Sequence, residues 1–294
     1  MDNQSTPEDT LDTRLEAFFH QKGFGAETKN AYTAHIHEYA RFLHERGVQR
    51  VTQAAIPDVI AFINHLGRQR RANGEPLLPT TISRRLASVS SLYQHLVQTG
   101  QCKRNPLRGP HRPATPVRQP PQPLTAEEVE LLIHAPQGDG FIPIRDRAVL
   151  EMLYRSGMTV SELSALNLGD FDPTQGWVIV RGHHQRIIPI DSFAVQAIKA
   201  YLPLRAAVYH PREQDNEPLL VNRFGCRLGL RGVRKVFERY REIIGIPAVS
   251  PKTLRTSFAN CLINRGANLQ MVQQLLGHKC LSTTRQIVAA TVTV

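Results

Sequence analysis

Between Ser250 and Thr284 the chain reads SPKTLRTSFANCLINRGANLQMVQQLLGHKCLSTT, a stretch that concentrates side chains able to act on an anion: Lys252, Arg255 and His278. Arginine carries five N–H donors in a fixed fork and stays charged, lysine is a point cation, and imidazole gives or takes a proton near neutrality. Such a set can hold an oxyanion and neutralise its charge. No tyrosine follows Tyr240, so the stretch offers no phenolic oxygen. For Arg255 a structural reading stands beside the chemical one, a helix-start arginine paired with an acid such as Glu162, and the two are compatible.

The charge distribution points the same way. The chain has 294 residues and a net charge of +11; residues 41–120 and 221–294 each carry +10, with net negative segments before and between them. Two basic blocks suggest two surfaces facing one polyanion, as a clamp around double-stranded DNA would have. A generic basic protein with solvated arginine faces would share this composition. Cys102, Cys226, Cys261 and Cys280 form no CxxC pair, which argues against a disulfide framework or zinc site. No metal, cofactor or small-molecule substrate is expected. The polar, acidic start MDNQSTPEDT and the lack of any run of 18 apolar residues support neither a secretory signal nor a membrane span, so a cytoplasmic location is expected.

The elements that must position these groups follow from periodicity. Apolar residues recur at helical spacing in LDTRLEAFFHQKG, TKNAYTAHIHEYARFLHERG, IPDVIAFINHLGRQRR and TTISRRLASVSSLYQHLVQTG, which predicts a four-helix bundle over 1–104, with Thr28 and Thr80 as caps and Gly47 and Gly100 as stops. Residues 105–124 hold seven prolines and read as an extended linker. Over 125–294, TAEEVELLIHAP starts a helix on a Thr125 cap, RDRAVLEMLYRSG and VSELSALNLGDFD continue, QGWVIVRGHHQRIIPID reads as a β-hairpin about Gly182, and the remainder is helical. The fold class is mainly α with a small β-sheet. The closing run QIVAATVTV is rich in β-branched residues and reads as a poor helix.

Several of these segments, taken in order, resemble the tyrosine recombinases, the phage-integrase and Xer-type strand-exchange enzymes. RDRAVLEMLYRSGMTVSELSALNLGDFD is similar to their first box, VRGHHQRIIPI to their GKGNKERxVPL hairpin, SPKTLRTSFANCLI to SPHxLRHxFATxLL, and LLGHKCLSTT to LLGHxxxxTT. In the first domain TKNAYTAHIHEYARFL and TTISRRLASVSSLYQHL are similar to the family's helical segments. The resemblance implies an N-terminal SAM-like core-binding domain that clamps DNA, and a C-terminal catalytic-type domain. It assigns phosphate contacts to Arg181, Arg255 and His278, and DNA contacts to Thr28, Lys29, Arg84, Arg85, Arg181, Lys252 and Arg255.

Lys252 stands at the family's His position, where it keeps a positive charge, and Thr256 replaces a frequent His; at three further positions the departure bears on the chemistry itself. The first catalytic Arg falls on Thr159, whose hydroxyl offers one neutral hydrogen bond in place of a charged fork. Arg155 lies one turn earlier on the same helical face and is a possible substitute. The Lys that protonates the leaving oxygen falls on Arg181, and a guanidinium with a pKa above about 12 is a poor acid. The tyrosine nucleophile of STTxxY falls on Ile287, which has no nucleophilic atom, and Tyr240 sits in an apolar stripe that suits a core. Family members also carry a further C-terminal helix, exchanged between protomers, for which this sequence is short. The resemblance therefore implies a DNA-binding member of the family impaired or inactive in strand cleavage. Two alternatives stay open: an active recombinase whose nucleophile comes from a partner protomer or another residue, and a regulatory or architectural DNA-binding protein.

Overall fold

The apolar stripes of the first hundred residues fold as α1 (Leu11–Lys22), α2 (Ala26–Glu45), α3 (Ile56–Arg68) and α4 (Pro79–Gln98). This computed structural model describes residues 11–109, 121–182, 184–211 and 216–289, and divides into two compact units, 1–117 and 118–294. In the first, Phe18, Ile36, Tyr39, Phe62, Leu86 and Leu92 pack one core. Two helices begin earlier than their expected threonine caps. Pro79 opens α4, since its fixed φ suits the first helical position, and Thr80 follows it; Gly25 precedes α2, so Thr28 lies in the first turn. The predicted stops hold: Gly47 and Gly100, at φ of 83° and 73°, follow the ends of α2 and α4 in the left-handed conformation that spares glycine a Cβ clash.

The start of the proline-rich stretch is packed rather than extended. Asn105 Nδ2 donates to Ser90 O and Oγ at 3.1 and 3.0 Å, and Leu107 joins the bundle core. Its other end, Leu124, belongs to the core of the second unit. Residues 110–120, the body of the expected linker, lie outside the described residues.

The second unit begins with α5 (Ala126–His134), where Thr125 Oγ1 accepts from Glu128 N and the Glu128 carboxylate accepts from Thr125 N, a reciprocal cap. It continues through α6 (Phe141–Ser156), α7 (Val160–Ala165), β1 (Phe171–Asp172), β2 (Trp177–Val180), β3 (Arg186–Pro189), α8 (Ser192–Val208), α9 (Leu230–Ile244), α10 (Pro251–Asn264), α11 (Leu269–Leu276) and α12 (Leu281–Ala289). The predicted hairpin is β2–β3, antiparallel with Val178 opposite Ile188; β1, too short to show a period, adds a third antiparallel strand beside β2. Leu132, Val149, Met152, Ile188, Ile198 and Val233 fill the core. Tyr240 is buried there as its stripe implied, and its hydroxyl donates to the fully buried Asp146 carboxylate at 3.1 Å.

The poor-helix reading of QIVAATVTV is corrected as far as Ala289: Ile287 and Val288 are helical. Ile287 packs against Phe258, Ala259, Val272 and Leu276, and that burial outweighs the small intrinsic preference of a β-branched residue against helix. Residues 290–294 lie outside the described residues.

Gly157 joins α6 to the turn before α7 at φ 62°. A Cβ there would stand 2.3 Å from Phe258 Cδ1 and 2.9 Å from Leu276 Cδ2. Gly157→Ala therefore combines a left-handed backbone with an overlap that only a displaced aromatic ring relieves. The expected loss is about 3 kcal/mol, a melting temperature lower by roughly 6–12 °C, measured by calorimetry; an unchanged melting temperature would refute this account of the α6–α10 packing.

Candidate functional site

Helix α10 starts on Ser250, whose hydroxyl caps the Thr253 amide, with Pro251 in the first turn. That start places Lys252 at the surface and Arg255 three residues on, in the interior. Arg255 Nη1 donates to Gly157 O at 2.7 Å, and Nη2 to Leu276 O at 2.8 Å and to His278 Nε2 at 3.0 Å. Three of its five N–H protons are thus used, and two remain. Burial pulls its pKa down to about 10, with Glu162 opposing that shift, so the group is a cation at neutral pH. Glu162 Oε2 lies 3.8 Å away, so the acid named from sequence is a real neighbour.

His278 follows Gly277, which ends α11 at φ 69°. Its Nδ1 lies 2.9 Å from the Oγ1 of the fully buried Thr284. A guanidinium only donates, so Nε2 must accept from Arg255, and the imidazole proton resides on Nδ1, given to Thr284. Burial, then the charges of Arg255 and Arg186, pushes the imidazole pKa down to about 4. In this arrangement neither ring nitrogen has a proton to offer a ligand.

Thr159 has become a helix cap. Its Oγ1 accepts from Glu162 N at 3.2 Å and donates to Glu162 Oε2 at 2.9 Å, while its own amide donates to Oε2 at 2.8 Å. The hydroxyl proton is committed to Glu162. Burial alone would raise the Glu162 pKa, but hydrogen bonds from Arg186 and the Thr159 amide outweigh it and leave the carboxyl lowered, hence ionised.

A depression of about 350 Å³ brings together Thr159, Lys252, Arg255, Thr256, His278 and Ile287. Arg181 is not among its lining: it is well exposed and its Nε holds Asp170 Oδ1 at 2.5 Å. Nor does Arg155 substitute for Thr159, since it bonds Glu151 at 3.1 Å and Asp191 at 3.0 Å and stacks on Phe193. No tyrosine lines the depression. Tyr201 accepts from Val221 N at 2.9 Å and Tyr209 lies under Arg205. Among the described residues no group of acids, histidines and cysteines could hold a metal ion.

Arg186 is the residue that sequence reasoning passed over. Its Nε donates to Leu275 O at 2.7 Å and its Nη1 to Glu162 Oε1 at 2.6 Å. The signal was present: period two along β3 puts residue 186 on the face of the buried Ile188 and Ile190, opposite the exposed Ile187, and a cation on a core face needs an acid.

In the first unit the candidates separate. Arg84 and Thr28 are exposed and Lys29 is half-buried. Arg85 instead bonds Glu38 at 2.6 Å and Gln69 at 2.8 Å, tying α4 to α2 and to the residue after α3. Arg84 and Lys29 are the better placed to meet an external anion.

The His278 network can be tested by titration. Its imidazole resonances should titrate near pH 4, far below the ordinary 6.5. Since the unfolded imidazole takes its proton first, this group's contribution to stability is full above 6.5 and is lost as pH falls from there towards 4. A midpoint near 6.5 by NMR would refute the buried, Arg255-facing tautomer.

Residues 122–292 match the model of the phage integrase family, and residues 12–100 that of the phage integrase N-terminal SAM-like domain. The chain is 35% identical over 270 residues to tyrosine recombinase XerC of Thermodesulfovibrio yellowstonii, covering 90% of this chain and 86% of that protein. It is 34% identical over 280 residues to tyrosine recombinase XerD of Mycobacterium tuberculosis, covering 92% and 90%. Among solved structures, the Tn1549 transposon integrase in complex with a circular intermediate DNA superposes with a TM-score of 0.73 at 18% identity, covering 95% of this chain and 94% of that one. The XerH recombinase bound to its difH substrate gives 0.65 at 19% identity over 95% and 80%; both likenesses are of fold. With both domain models matched in order and relatives aligned over nearly their whole length, the chain belongs to the phage integrase family, the tyrosine recombinases.

Proposed function

We propose that this chain binds duplex DNA as a tyrosine recombinase family protein and does not cleave a strand by itself. The observation that carries this reading is the depression in which Ile287 stands beside Arg255, His278 and Thr159. Arg255 and Lys252 supply positive charge to a phosphate there. The attacking oxygen is missing, the Thr159 proton is held by Glu162, and the single N–H proton of His278 is given to Thr284. Thr159 in place of a guanidinium removes about 3 kcal/mol of transition-state stabilisation, on the scale of a deleted oxyanion donor. The lysine that would act as the acid is replaced by a guanidinium at 181, a poor proton donor by its chemistry. DNA as the partner is supported by the relatives' names, by solved neighbours bound to DNA, and by the two basic segments. On this reading Arg181, Lys252, Arg255, Thr28, Lys29 and Arg84 meet the backbone, Arg85 meets it only by leaving Glu38, and further protomers share the DNA, as in the solved lambda integrase dimer on its core site.

Two measurements test this. Binding to short duplexes followed by anisotropy should weaken steeply with monovalent salt, the signature of released counterions; a flat response would exclude a phosphate-dominated interface. Incubation with nicked suicide substrates, which trap a covalent phosphotyrosine, should give no protease-sensitive shifted band on a denaturing gel. Ile287→Tyr alone should leave that result unchanged, because the charge and the acid are still missing, whereas adding Thr159→Arg and Arg181→Lys should produce adduct. Thr159→Arg also removes a helix cap, at a cost of about 1 kcal/mol. Full cleavage by the single Ile287→Tyr variant would show that the three losses are not cumulative.

A further inference from the structure

Beside the depression over Arg255 lies a second, of about 430 Å³, with His184, Arg186, Gln273, Gly277 and His278 in its wall. The Arg186 side chain is only 10% exposed, and while its Nε and Nη1 have acceptors, Nη2 has none among the described residues. A guanidinium donor withdrawn from water without an acceptor is costly to the fold, and the cost is removed when an acceptor arrives. The guanidinium lies close against Gly277: a Cβ there would stand 2.7 Å from Arg186 Nη1, and the side chain would have to shift to make room. Charge is unbalanced in the same place. Among the described residues, Arg186 and Arg255 share one carboxylate, Glu162, and no acid lines the depression.

We propose that this second depression is a phosphate subsite, in which Arg186 Nη2 donates to a non-bridging oxygen of a DNA backbone phosphate near the one held over Arg255. The two depressions share the His278 wall, which suits two phosphates of one strand. A backbone phosphate oxygen is the same at every base step, so a contact to it is independent of sequence. This rests on the DNA-binding reading above, and it adds a contact that does not depend on cleavage.

The test uses the full chain. Arg186→Gln should weaken binding to unrelated duplexes equally and lower the slope of log affinity against log salt by about one, the loss of a single phosphate contact. Because that variant also strips Glu162 of a partner and could unfold, the wild-type protein provides the second measurement. With ¹⁵N-labelled arginine, the Arg186 side-chain resonances, assigned through Arg186→Lys, are followed while a short duplex or inorganic phosphate is added. Movement with duplex supports the subsite. Movement with inorganic phosphate and none with duplex overturns the DNA assignment and marks a free-phosphate site. Stationary signals under duplex that anisotropy shows to be bound overturn the subsite and leave the DNA-binding reading standing. Absence of duplex binding at low salt overturns both.

Discussion

Burying a guanidinium obliges everything around it to supply acceptors, and the second unit is arranged to meet that obligation for Arg255. Its acceptors are Gly157 O at the end of α6 and Leu276 O at the end of α11, while Arg186 takes Leu275 O from the same end of α11. The last carbonyls of a helix have no partner within it and sit at the negative end of its dipole. Two helix ends therefore converge on two cations. Each is brought to a stop by a left-handed glycine, Gly157 or Gly277, close against a neighbouring side chain. Helix termination, cation placement and depression shape are one construction, so a change at either glycine is felt by Arg255 before it is felt by any ligand.

Glu162 completes that construction. One carboxylate caps α7 through Thr159, anchors Arg186 and lies near Arg255. It ties the start of α7 to β3 and α10, elements far apart in sequence. Thr159 fits this network because threonine is among the residue types best suited to a cap. The same fit uses up its hydroxyl.

Much of the fold was legible because its signals are local. The Thr125 cap, the glycine stops, the hairpin about Gly182 and the apolar stripes are all read within a few residues. Of the site, Lys252, Arg255, His278, Thr159 and Ile287 were legible through motif order, and they line one depression. What stayed hidden depends on distant partners. Arg85 finds Glu38 47 positions away, Arg186 finds Leu275 89 positions away, and no spacing rule reports such distances. Arg181 shows a different gap: its family position points to an anion outside the protein, and spacing gives no hint that its Nε also bonds Asp170, 11 residues back. Helix α12 escaped propensity because a nine-residue helix takes its stability from packing.

Ile287 completes an apolar cluster with Phe258, Val272 and Leu276, and Thr159 completes a cap. At these two of the positions where the chain departs from the family's pattern, the residue present serves the scaffold. Stability and chemistry therefore pull in opposite directions there: a polar hydroxyl at 287 gives up buried apolar surface, and a guanidinium at 159 gives up a capping box. Such a site acts as a ratchet. Each step toward the family's pattern at these two positions lowers stability before any change in chemistry, so drift alone does not readily remove Thr159 or Ile287.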